Sequence, residues 1–120
     1  MEFIEAPLFT QLLPDFLTDD QYGELQQHLS SDPDVGDVIP GTGGFRKLRW
    51  VDRRRGKGKR GGLRLIYYHF LADAQVWLIT VYANDSMADL SPTEKRLLKA
   101  AIERETKERA KRRTERRSQQ

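Results

Sequence analysis

Two apolar runs, Leu63–Phe70 (LRLIYYHF) and Val76–Tyr82 (VWLITVY), constrain the fold more than any other feature of this chain. Both are rich in the β-branched and aromatic residues that suit a pleated, half-buried surface. Only Leu71-Ala72-Asp73-Ala74-Gln75 separates them, the length of a hairpin connection. Phe45–Val51 reads as a strand ahead of them. Three strands in succession with short links predict an antiparallel sheet. A fourth, weaker alternation in Met1–Ala6 (MEFIEA) predicts a short first strand.

Helical signals flank these strands. Pro7 suits a first helical position, and Leu8, Phe9, Leu12 and Leu13 follow at helical spacing. Pro14 is expected to end or bend that helix. Thr18-Asp19-Asp20-Gln21 is a capping-box pattern, with Tyr22, Leu25 and Leu29 on one face, and Pro33 stops the run. Asp34–Gly44 (DVGDVIPGTGG) reads as a Gly/Pro loop. Near the carboxy end, Ser91-Pro92-Thr93-Glu94 combines a capping box with proline at the first helical turn. Leu97, Leu98, Ala101 and Ile102 form a narrow apolar stripe suited to docking on a sheet. Beyond Arg104 almost nothing is apolar, and Glu103/Lys107, Glu105/Arg109 and Glu108/Arg112 are spaced to support a solvated helix. Thr114–Gln120 is expected to lack order.

The net charge of +3 hides three regions of different sign. Residues 1–45 carry nine carboxylates and no lysine or arginine. Phe45–Arg64 (FRKLRWVDRRRGKGKRGGLR) holds ten of the 21 basic residues and one acid, Asp52. The other basic residues all follow Thr93. A charge run is most often a solvated face. Here, however, the charges bracket and enter strands in mid-chain, where self-repulsion costs stability. That placement favours a polyanion-binding surface, and aromatic residues interleaved in the neighbouring strands offer one or two rings for base stacking.

Several function classes fall away. The chain has no cysteine, hence no disulfide, thiol nucleophile or thiolate-based zinc site. Met1-Glu2-Phe3 does not begin a signal peptide, and no apolar stretch approaches the ~20 residues of a membrane span. A cytoplasmic protein with no membrane partner is the expectation. His28 and His69 lie far apart in sequence with no ligand cluster around them, so no metal or other cofactor is expected. Gly56-Lys57-Gly58-Lys59-Arg60-Gly61 fits a dinucleotide fingerprint by letter, but a strand follows it rather than a helix. No helix-turn-helix with a basic recognition helix is present.

Two strings carry a family resemblance: Gly36–Arg49 (GDVIPGTGGFRKLR) and Gly56–Tyr68 (GKGKRGGLRLIYY). Together with the order strand, two helices, three strands and helix, they resemble the HigB branch of the RelE superfamily, toxins of type II toxin–antitoxin pairs. The resemblance spans about residues 1–105. It implies an α+β, RelE-like two-layer domain, with a small, mainly antiparallel sheet, two amino-terminal helices and a carboxy-terminal helix. Residues 106–120 then form a basic extension, helical and then disordered, longer than is usual in the family.

The activity implied is metal-independent endonucleolytic cleavage of mRNA in the decoding site of the translating ribosome. The implied partners are mRNA, the ribosome and a cognate antitoxin with a helix-turn-helix DNA-binding domain. Carried over by position, the catalytic set is Lys57, Lys59, Arg64 and Asn84. The RNA-gripping set is Arg46, Lys47, Arg49, Arg53, Arg54, Arg55, Arg60 and Tyr82. Members of that family commonly carry Tyr-Gly-Lys-Asn-Glu where this chain reads Tyr82-Ala83-Asn84-Asp85-Ser86. Asparagine can hydrogen-bond a phosphate but stabilises developing charge less well than lysine. That departure keeps a second expectation open, a non-catalytic RNA- or ribosome-binding regulator using the same basic face.

Overall fold

A computed structural model describes residues 1–52, 62–83 and 90–118. The elements run β1 (Glu2–Glu5), α1 (Pro7–Phe16), α2 (Asp19–Ser31), β2 (Asp37–Val38), β3 (Arg46–Trp50), β4 (Leu63–Phe70), a 3-10 turn at Leu71–Asp73, β5 (Gln75–Ala83) and α3 (Pro92–Ser118). This is an α+β fold with two amino-terminal helices and a carboxy-terminal one. The sheet order is β1-β5-β4-β3-β2, antiparallel throughout except for the parallel pair β1–β5. The chain divides into two compact units, Met1–Ile39 with Phe45–Asp89 and Pro40–Gly44 with Leu90–Gln120.

In the first unit α1 and α2 cover one sheet face. Phe9, Leu17, Leu25 and Leu29 meet Leu48, Leu63, Leu65, Tyr67, Val76, Leu78 and Val81 in one buried cluster. Each such side chain contributes roughly 1.5–3 kcal/mol on burial. Glu5 pins the helices to β1, accepting hydrogen bonds from the Tyr22 hydroxyl at 2.9 Å and the Thr10 hydroxyl at 2.7 Å. Burial, reinforced by the bond to Glu5, raises the Tyr22 pKa.

Thr18 forms the expected capping box, with the Gln21 N–H donating to its hydroxyl and its own N–H donating to the Gln21 side chain. Pro14 does not end α1, which continues to Phe16. The helix runs only two residues past the proline, and Phe16 at its end packs partly buried against the core. The loop expected over residues 34–44 contains the two-residue edge strand β2, paired with β3 at Asp37↔Lys47 and Val38↔Arg46.

The β4–β5 connection turns at Ala74, whose φ of 51° and ψ of 48° are left-handed. A Cβ is disfavoured there, so Ala74→Gly is expected to stabilise the protein by about 0.5–1 kcal/mol. Denaturant unfolding at constant m-value is the measurement, and a loss of stability would contradict it.

In the second unit Ser91 and Glu94 complete the predicted capping box: the Glu94 N–H donates to the Ser91 hydroxyl at 3.1 Å and the Ser91 N–H to the Glu94 carboxylate at 2.9 Å. The Ser91 N–H, and after it the Ser91 side chain, lower the Glu94 pKa. Gly43, at φ 79°, lies against α3; a Cβ there would stand 2.9 Å from Ile102 Cγ2. Ile102 is 2% exposed, the only buried residue of α3. The helix nonetheless runs on to Ser118, so Thr114–Ser118 is helical rather than without order. The Thr114 and Ser118 hydroxyls donate to the Ala110 and Thr114 carbonyls. Of the spaced pairs, Glu105–Arg109 forms at 3.1 Å, and Arg112 turns its guanidinium to Glu105, at 3.3 Å, rather than to the Glu108 carboxylate.

Candidate nucleic-acid interface

Strand alternation divides the cations of β3. Arg46 shares a face with Leu48 and Trp50, on the helix-covered side; Lys47 and Arg49 take the other. Arg46 accordingly works within the domain. Its guanidinium donates to the carbonyls of Asp34 (3.0 Å) and Gly36 (2.8 Å), and its Nε lies 3.6 Å from the Asp34 carboxylate. The same carboxylate meets His69 Nδ1 at 3.0 Å. Arg46 thus fastens the 34–36 turn to the sheet edge.

The opposite face carries a row of different character. Arg49 pairs across the ladder with Arg64, and Arg64 with Tyr82, so the three side chains line up over β3, β4 and β5. Lys47, Ile66 and Thr80 form the next row. Arg49 is exposed, Lys47 half-buried, and Arg64 and Tyr82 only 7% and 8% exposed. Like charges directly opposite one another destabilise a sheet. The Arg64 guanidinium is accordingly held below its ordinary pKa, first by burial and then by Arg49, with Tyr82 acting the other way. Its Nη1 donates to the Leu63 carbonyl at 3.2 Å, which fixes the fork beside the strand.

A β-bulge makes this row possible. Ile66 pairs with Thr80 and Tyr67 with Leu78, leaving Ile79 as the extra residue of β5. The bulge reverses the strand's alternation. Val76, Leu78 and Val81 can all enter the core while Tyr82 stays on Arg64's side. Nothing in VWLITVY marks Ile79 as the extra residue, since four of its seven side chains are aliphatic and either phase buries apolar surface.

The aromatic residues expected to interleave with the charges are mostly occupied. Tyr67 is in the core, and Trp50 packs on His28 at a centroid distance of 5.2 Å. Phe45, Tyr68, Phe70 and Trp77 make a four-ring cluster with spacings of 4.7–6.3 Å. Of the predicted site residues, Arg49, Arg64 and Tyr82 are brought together, Lys47 lies one row away, and Arg46 is on the other face. Lys57, Lys59 and Asn84 of the catalytic set, and Arg53, Arg54, Arg55 and Arg60 of the RNA-gripping set, lie outside the described residues. Among the described residues, no group of three histidines and carboxylates is arranged to hold a metal ion. No helix among them is long and apolar enough to cross a membrane. No protein-family model matches the chain.

Proposed function

We propose that this protein is a ribosome-dependent endoribonuclease toxin, cutting mRNA in the decoding site and restrained by a cognate antitoxin. The observation that supports it is the Arg49–Arg64–Tyr82 row: two arginines in cross-strand register, one nearly buried, on a sheet face. Folding has paid repulsion and desolvation to put two positive charges side by side, an arrangement that an arriving phosphate relieves. The Gly/Lys-rich string GKGKRGG leads directly into the strand that carries Arg64.

In this reading the substrate's own 2′-hydroxyl is the nucleophile. Its oxygen bonds to the adjacent phosphorus as its proton leaves to a base. The bond to the 5′-oxygen breaks, and that oxygen takes up a proton. The products are a 2′,3′-cyclic phosphate and a 5′-hydroxyl. Arg64, with its fork anchored, stabilises the charge that gathers on the phosphorane. Lys57 and Lys59 are assigned the proton transfers, because clustering lowers an ammonium's pKa. Arg49 and Lys47 hold flanking phosphates.

Asn84 favours a second reading, a non-catalytic RNA- or ribosome-binding regulator, because it supplies no positive charge where relatives have lysine. Induced expression separates the two. The toxin arrests growth and leaves translated messages truncated in register with the reading frame. A regulator slows translation with messages intact, and normal translation at high expression defeats both.

A further inference from the structure

The spacing i, i+3, i+4, i+7, i+8 ordinarily marks the apolar stripe by which a helix packs. On the last turns of α3 that stripe is Arg109, Arg112, Arg113, Arg116 and Arg117. It continues the helix line of Leu98 and Ile102, so a face that is buried at Ile102 becomes a guanidinium face two turns later. From Arg109 to Ser118 there are six cations and one carboxylate, Glu115, a net charge of +5 over about 15 Å of helix. Glu105 engages Arg109 and Arg112 at the inner end. Arg116, Arg117 and Lys111 are exposed, with no carboxylate partner among the described residues.

This composition limits what the arm can hold. Ala110 is its only apolar residue, so it offers neither the aromatic and aliphatic anchors of a protein interface nor the apolar face of a membrane-surface helix. A positive stripe without anchors matches a phosphodiester backbone, which presents one charge per ~1.7 Å of duplex axis. Five of the six cations are arginines, whose planar fork suits phosphate oxygens better than an ammonium does.

We infer that residues 109–118 form an arm that grips the backbone of duplex RNA without regard to sequence. The choice of RNA over DNA rests on the function proposed above; capture of a phosphate backbone does not.

The test is fluorescence anisotropy of the full chain on a naked 20-base-pair RNA duplex over a range of salt, without ribosome or message. Comparison is with an R112Q/R116Q/R117Q variant, an R112K/R116K/R117K variant, and a DNA duplex of the same sequence. Glutamine should raise Kd roughly tenfold or more and flatten the salt slope by about two to three. Lysine, which keeps the charge, should retain most of the slope. Circular dichroism at 222 nm separates lost contact from a lost helix, and both variants should match the wild type. An unchanged Kd and slope in the glutamine variant overturns the inference, as does a wild type that binds no duplex but self-associates at low salt through its acidic residues 1–45. Equal or tighter binding to the DNA duplex overturns the assignment to RNA. All these outcomes leave the proposed cleavage untouched, because that reaction is read on programmed ribosomes.

Discussion

Arg64→Ala is expected to slow single-turnover cleavage on programmed ribosomes by about 10²–10³, the usual cost of removing one preorganised charge-stabilising group. The protein should stay folded. Arg64 sits nearly buried opposite Arg49, and both burial and that neighbour depress its pKa. A guanidinium keeps its charge in proteins at neutral pH. Alanine removes the cross-strand repulsion with Arg49, worth up to about 1 kcal/mol. Against this stands the loss of the packed aliphatic stem. Arg64→Met keeps most of that stem, so it should be the more stable of the two variants and equally slow. Thermal melts alongside the kinetics give both readings. Near-wild-type cutting by a folded Arg64→Ala protein would remove this residue from the site.

The largest stability effect is expected from a single oxygen. The Tyr67 hydroxyl accepts the Gly36 N–H at 2.9 Å and donates to the Pro33 carbonyl at 2.8 Å. Burial raises its pKa even though the Gly36 N–H and Arg46 pull the other way. Tyr67→Phe leaves a backbone donor and an acceptor without their partner, at about 1–3 kcal/mol each. A total loss of about 2–6 kcal/mol follows, a fall in Tm on the order of 10 °C or more. Gly36→Ala attacks the same junction from the other side. Its Cβ would stand 2.9 Å from Tyr67 Cε1 and 3.1 Å from the Lys47 carbonyl. The two substitutions share one contact, so their effects should fall short of additive. A Tyr67→Phe protein within about 0.5 kcal/mol of wild type would mean that water replaces both bonds.

What could be seen from sequence here was local. Capping at Thr18 and Ser91 is decided by residues three positions apart, and the β4–β5 hairpin by two apolar runs and a short link. Each is a short-range balance of backbone donors, acceptors and side-chain size, written in consecutive letters. The α+β class followed from their order. The concentration of charge in Phe45–Arg64 was also visible, because charge adds up whatever the fold.

Tertiary structure decided which of those charges stand together. Arg46, Lys47 and Arg49 look alike in sequence, yet strand alternation sends Arg46 to the 34–36 turn and the other two to the opposite face. Period-two geometry predicts such a split, but only pairing fixes which half faces the helices. Arg64 meets Tyr82 because one residue, Ile79, bulges out of register. A bulge depends on how two strands and the core compete for the same apolar side chains, and no single strand encodes that competition. Helix α3 reaches Ser118 for a comparable reason. Its last turns bury almost nothing, so neither apolar spacing nor composition marks an end. The N-cap at Ser91, the ion pairs to Glu105 and cations placed where they complement the helix dipole sustain it.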